Sequence, residues 1–229
     1  IQSIQLPGNA GPMGLSSDKE LLYVNTNNDD GAAFATFSVE SDGKLKHVHT
    51  ASSGWNNGYL RPDATGRFIA GNSYRDGKVG IWPVEEDGIY RGGKVKDFEL
   101  EQKAHSAVFS LDNRFLFVPA TGPNKVFQLV FNEETGAIHP NQPSSAPSFV
   151  GSDRAEQPRH LIFHPSKGFA YTSQEKEVPG VGVWQYDKDK GLLTMIQATP
   201  SVEGDSEGMS TADLHFSKDH RFVYVSNLD

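Results

Sequence analysis

One short pattern recurs five times along the chain. Each copy has an apolar residue, two small or polar residues, a turn, and then an aromatic-rich run: LSSDKELLYV from Leu15, LRPDATGRFIAG from Leu60, FSLDNRFLFV from Phe109, FHPSKGFAYT from Phe163 and FSKDHRFVYV from Phe216. The first large apolar residue of each run is Leu21, Phe68, Phe115, Phe169 and Phe222, at steps of 47, 47, 54 and 53 residues. A repeat of about 40 to 55 residues built from short strands is the signature of a β-propeller blade.

A second landmark keeps the same period. Alternating runs at Ala35 to Val39, Val79 to Val84, Val126 to Phe131 and Val181 to Tyr186 each lead into a glycine turn, at Gly43, Gly88, Gly136 and Gly191. Glycine supplies positive φ without steric cost, so strand, turn, strand is the natural reading. Each unit then holds an inner strand, an aromatic strand, a third strand and an outer strand such as Leu45 to Thr50 or Leu192 to Thr199. The expected architecture is all-β: one propeller domain over residues 1–229, with four-stranded antiparallel blades at about 7–54, 55–102, 103–156, 157–209 and an incomplete 210–229. The string NQPSSAPSF (Asn141 to Phe149) reads as a loop leading into the fourth blade. Ile1 to Leu6 reads as a strand beside the fifth unit or as the outermost strand of a preceding blade.

Composition excludes several classes of function. The absence of cysteine rules out disulfide scaffolds, thiolate metal sites and a cysteine nucleophile. A net charge of −8 argues against broad electrostatic binding to nucleic acid. No apolar run is long enough to cross a membrane as a helix, and no leader is visible, so the expected compartment is the cytoplasm. Walker loops, GxGxxG after a strand and GxSxG elbows are also missing. No metal or cofactor is implied by any local ligand spacing.

Propeller geometry turns the repeat into a search for a site. The start of each inner strand and the loop between the second and third strands open on the same face. Four residues before the inner-strand anchor stand Gly11, Asn56, His105, Arg159 and Ala212. The next column reads Pro12, Asn57, Ser106, His160 and Asp213. Six residues after the key apolar position stand Asn27, Tyr74, Thr121, Glu175 and Leu228. His105, Arg159, His160, Glu175 and Asp213 therefore map to one mouth of the ring, a constellation suited to a small-molecule site. The recurring Asp18, Asp63, Asp112 and Asp219 read as turn formers. His164 and His215 fall inside strand patterns and read as structural.

The strings HSAVFSLDNRFLFVPA (from His105), QPRHLIFHPSKGFAYTSQE (from Gln157) and TADLHFSKDHRFVYVSN (from Thr211) resemble the lactonase family of seven-bladed propellers. That family includes propeller-type 6-phosphogluconolactonases and 3-carboxy-cis,cis-muconate cyclases. The resemblance covers essentially the whole chain and implies seven blades, of which about four and a half are present. It also implies a lactone hydrolase acting on a sugar-acid lactone, with a lactonising carboxymuconate cycloisomerase or a non-catalytic binding propeller as alternatives. By the resemblance His105, Arg159 and Glu175 match active-site positions, while His160, Asp213 and Tyr74 are placed as substrate contacts. Family members commonly carry Arg after the Asn of the fifth unit's strand end. Here Leu228 follows Asn227.

Overall fold

The computed structural model describes residues 2–6, 8–93, 96–148, 157–176, 179–204 and 207–228. Ile1 and Phe149, the ends of two of the segments read above, lie outside them. Eighteen strands are named among the described residues, with no helix. They form successive antiparallel sheets in chain order. The first is β1 (Asn9–Leu15), β2 (Leu21–Asn28), β3 (Gly31–Val39) and β4 (Leu45–Ser52). The second is β5 (Tyr59–Pro62), β6 (Phe68–Ser73), β7 (Lys78–Pro83) and β8 (Lys96–Glu99). The third is β9 (Val108–Phe109), β10 (Phe115–Ala120), β11 (Lys125–Phe131) and β12 (Ile138–Pro147). The fourth is β13 (Pro158–Phe163), β14 (Phe169–Gln174), β15 (Gly180–Asp187) and β16 (Leu192–Pro200), and the hairpin β17 (Ser210–Phe216) and β18 (Val223–Leu228) follows. The four complete sheets are propeller blades, each a four-stranded meander, and the two-stranded hairpin begins a fifth.

Local chemistry makes each blade. In four of the five turns into the middle strand a side chain caps the amide of the key apolar residue. Ser16 Oγ accepts from Leu21 N, Ser110 Oγ from Phe115 N and Ser217 Oγ from Phe222 N at 2.9 to 3.0 Å. Asp18, Asp112 and Asp219 then accept from those serine hydroxyls. In the second blade the order inverts: Asp63 Oδ1 caps Phe68 N at 2.9 Å, and Thr65 Oγ1 donates to Asp63. His164 holds the same turn in the fourth blade, with Nδ1 accepting from Ser166 N and Lys167 N.

That inversion corrects the alignment of the second unit. Asp63 N donates to Phe68 O just as Ser16 N does to Leu21 O and Ser110 N to Phe115 O. Asp63 is therefore the partner of Ser16, and Pro62 rather than Leu60 is the partner of Leu15. The two mouth columns in this blade are Gly58 and Tyr59, not Asn56 and Asn57. The apolar letter at Leu60 misled the sequence alignment because it stands in for a Pro-Asp pair two residues on.

Two further expectations are corrected. The segment Asn141 to Pro147 is strand, the second half of β12, pairing Val126 with Ala146 and Lys125 with Pro147. Its two prolines, Pro143 and Pro147, are tolerated because an outer strand leaves one row of backbone groups unpaired. Residues 2–6 form no strand. Ile4 and Leu6 instead pack on Val24, Ala35 and Phe37 of the first blade, and the Gln2 side chain bonds both ways to the Leu45 backbone at 2.8 Å.

The core lies between blades. Phe34, Tyr23, Ile69, Trp82 and Tyr90 join the first to the second, with Phe34 and Trp82 edge to face at 5.2 Å. Phe68, Ile81, Leu116 and Phe131 join the second to the third; Phe117, Phe163, Trp184 and Met195 join the third to the fourth. The two periodic landmarks meet here. A Cβ on Gly88 would strike Leu21, one on Gly136 would strike Phe68, and one on Gly191 would strike Phe115. The key apolar residue of each of the first three blades thus packs on the glycine turn of the next. Among the described residues, no helix is long and apolar enough to cross a membrane.

Candidate active site

The inner strands converge on a channel cavity of about 450 Å³, lined by Met13 and Gly14 of β1, Tyr59 and Arg61 of β5, Val108 of β9, His160 of β13 and Asp213 and His215 of β17. At the end where these strands begin, the backbone departs from regular pairing in three of them. The register shifts between Ala10 and Met13, between Pro158 and Leu161, and between Thr211 and Leu214. The bulged pairs are Gly11–Pro12, Arg159–His160 and Ala212–Asp213, the same two positions each time. A bulge leaves its residues out of the ladder and re-aims their side chains. The freed amides are recovered by the middle strand: His160 N donates to Ser173 Oγ and Asp213 N to Ser226 Oγ, both at 3.1 Å. The third blade reaches the same end differently, with a single Ala104–Ala120 bridge and His105 N donating to Pro119 O at 3.0 Å.

Three of the residues expected at this mouth come together closely. His105 Nε2 lies 3.6 Å from Glu175 Oε2, both side chains largely buried. That is ion-pair distance, too long for a hydrogen bond. Glu175 is fixed through its backbone, which accepts from Thr211 N and donates to Gln157 O, each at 3.0 Å. Burial pushes the His105 imidazole below its ordinary value, Glu175 opposes this, and Arg159 and His160 add to the depression. The His105 contact holds Glu175 below the usual carboxylate range against the effect of burial, with help from Arg159 and Lys176. Arg159 is thus electrostatically coupled to both. Its Nε and His105 Nε2 are buried side-chain nitrogens without a hydrogen-bond partner among the described residues.

Tyr74 closes one side, its ring edge to face with His105 at 4.6 Å between centroids. His160 stands on the other side, its ring 6.3 Å from that of His105. His160 Nδ1 meets Asp213 Oδ1 at 2.8 Å, and His215 Nε2 meets Asp213 Oδ2 at 2.9 Å. The His160 contact holds Asp213 far below the carboxylate range, burial opposes it, and the Leu214 amide and His215 contribute. A carboxylate that stays ionised accepts hydrogen bonds only, so Nδ1 of His160 carries a proton.

Of the six residues expected from the sequence, His160 and Asp213 line the cavity; His105, Glu175, Arg159 and Tyr74 do not line it but gather beside it, with the His105 ring 6.3 Å from that of His160. Three more were missed. Tyr59, whose ring lies 5.8 Å from that of His160, was hidden by the two-residue slip in the second unit. Arg61 follows from the same slip: two residues along the strand, it shares the channel face with Tyr59. His215, expected to be structural from its strand pattern, has 77% of its side chain exposed and lines the cavity; its signal is the i, i+2 spacing from Asp213 on one strand face. The opposite happens at His164, which is 5% exposed and only holds a turn. Asn56 and Asn57 serve the wall, bonding Asn25 of the first blade. Leu228 is half exposed at the end of β18.

The geometry offers a base with a carboxylate neighbour, a guanidinium and a second imidazole–carboxylate pair around one opening. Comparison with known proteins points the same way. The 6-phosphogluconolactonase of Erwinia tasmaniensis is 30% identical over 98% of this chain and 65% of its own length. That of Cronobacter sakazakii is 31% identical, again over 98% of this chain and 65% of the relative. The chain therefore spans just under two thirds of these curated relatives. The structure of the Pseudomonas aeruginosa periplasmic gluconolactonase superposes with a TM-score of 0.83 at 24% identity, covering 98% of this chain and 67% of that one, which establishes a shared fold. Residues 1–228 match the family described as Lactonase, 7-bladed beta-propeller. The chain belongs to that family of seven-bladed lactonase propellers.

Proposed function

We propose that this chain carries the catalytic mouth of a lactone hydrolase acting on a sugar-acid lactone, in the manner of a 6-phosphogluconolactonase. The observation that carries the reading is the approach of His105 to Glu175 beside Arg159 at the bulged end of the channel. The names of the relatives support the substrate class.

Hydrolysis of a lactone needs an activated water, a cation for the charge that develops on the carbonyl oxygen, and a proton for the departing ring oxygen. Burial favours the neutral form of His105, the form able to accept a proton from water. With Nε2 directed at Glu175, the other ring nitrogen is left for the water. Arg159, a planar donor fork whose Nε has no hydrogen-bond partner among the described residues, is suited to receive the oxyanion or an anionic substituent. Tyr74 packs edge to face on the His105 ring and holds it in place.

In the full reading frame, His105→Ala is expected to lower turnover of 6-phosphogluconolactone by at least about a hundredfold. Turnover close to wild type in that variant removes His105 from the mechanism. A parallel assay with 3-carboxy-cis,cis-muconate separates hydrolysis from lactonisation: product formation there and none from the sugar lactone overturns the hydrolase reading. The cytoplasm remains the proposed compartment, although one structural relative is a periplasmic protein. Fractionation of cells expressing the full frame tests it, and activity recovered in the periplasm overturns it.

A further inference from the structure

The mouth contains two imidazole–carboxylate pairs, and lactone hydrolysis has two proton transfers to make. We propose that His160, oriented by Asp213, is the acid that protonates the departing ring oxygen, while His105 serves only the attacking water. This inference rests on the lactonase reading above.

The geometry supports a division of labour. His105 and His160 come from successive blades, one position apart in the repeat, and their rings stand 6.3 Å apart. In the tetrahedral intermediate the incoming and departing oxygens share one carbon, closer together than a hydrogen-bond length. Two rings at this spacing can each reach one of them. His105 is buried beside Glu175, which suits a neutral base. His160 lines the open channel, where a leaving arm has room to withdraw. Its Nδ1–H is committed to Asp213, leaving Nε2 to face substrate. Asp213 is itself held on every side: Oδ1 also accepts from Leu214 N at 2.9 Å, Oδ2 faces His215, and its amide is tied to Ser226. Such a carboxylate sets the ring's orientation and offsets its charge when both nitrogens carry protons. The other titratable groups facing His160 are Tyr59 and Arg61 from β5, His215 from β17 and His105 from the third blade.

The protons balance. Water gives a proton to His105 as its oxygen bonds the carbonyl carbon, and the π pair moves onto the carbonyl oxygen beside Arg159. The intermediate collapses, the bond from carbon to ring oxygen breaks, and that oxygen takes its electron pair and the Nε2 proton of His160, which enters the cycle with both ring nitrogens protonated. The proton held by His105 returns to His160 through water. The product acid loses its own proton to solvent, and the cycle closes with no other reactant.

The test uses leaving-group basicity. An alkoxide needs an acid to leave and a phenoxide does not. The full-length protein and its variants are assayed on δ-valerolactone, an alkyl lactone, and dihydrocoumarin, an aryl lactone. His160→Gln and Asp213→Asn are expected to lower kcat on the alkyl lactone by about a hundredfold or more, and on the aryl lactone by less than about tenfold. His105→Ala is expected to lower both equally, and His215→Gln to leave the ratio of the two unchanged. Equal losses on both lactones in the two dyad variants, or no loss on either, overturn the assignment. If His160→Gln does not fold, Asp213→Asn decides alone, since a merely structural role would not alter the ratio. A wild-type protein that hydrolyses neither lactone nor 6-phosphogluconolactone overturns the lactonase reading instead.

Discussion

At His105 the balance of burial against charge decides what the ring can do. Burial lowers its proton affinity, Glu175 restores part of it, and Arg159 and His160 lower it further. The base form therefore persists below the ordinary imidazole value of 6.5. On the hydrolase reading, the acidic limb of kcat/KM is expected below that pH. Glu175→Gln removes the one neighbour that favours the proton, so it moves the limb lower still; Arg159→Gln moves it up. A pH–rate series on the three proteins checks both signs, and a limb that rises in Glu175→Gln contradicts the arrangement. The closeness of these residues was legible in the sequence because His105, Arg159, His160, Glu175 and Asp213 stand at equivalent or adjacent repeat positions. That of Tyr59 and Arg61 was not, since one turn with Asp63 in the serine place shifts their columns by two.

Between strands, the device that organises the molecule is the fit of one blade's key apolar side chain against the next blade's glycine turn. Gly191 has φ of +66° and Phe115 against the position a Cβ would take. Gly43 has φ of +79° with open space around it. Both substitutions to alanine carry the left-handed backbone cost, about 1–2 kcal/mol. Only Gly191→Ala adds a clash with a packed ring, for a further loss of about 1–3 kcal/mol. Chemical denaturation of the two variants side by side measures that difference; equal midpoints would show that the turn and the ring are not coupled. The glycines and aromatics were plain as separate periodic columns, but their contact joins different blades and no local spacing records it.

For the molecule as a whole, buried polar groups between and along the blades set the pH range of stability. Burial raises Tyr23, Tyr90 and Tyr186 to about 12 from 10.0. Groups raised in the folded state contribute stability that is intact below pH 10 and lost as pH climbs towards 12. Asp213, Glu175 and His105 are lowered, so the unfolded chain binds more protons and stability falls as pH drops below the imidazole range and then through the carboxylate range. The melting temperature is expected to plateau between those limits and to fall steeply above pH 10. A curve flat from pH 9 to 12 would contradict the burial of the three tyrosines.

The amino-acid sequence by itself determined the repeat, the four-strand unit, the glycine turns and the family, because each depends on residues close together in one stretch of chain. It also placed five of the chemical groups at one mouth, since a propeller superposes equivalent positions. The tertiary structure decided the rest. The bulges at Arg159–His160 and Ala212–Asp213 exist only as a mismatch between paired strands. The contact of His160 with Asp213 joins residues 53 positions apart. Register and contact between blades are set by which partner each strand meets, and a single strand's sequence does not contain its partner.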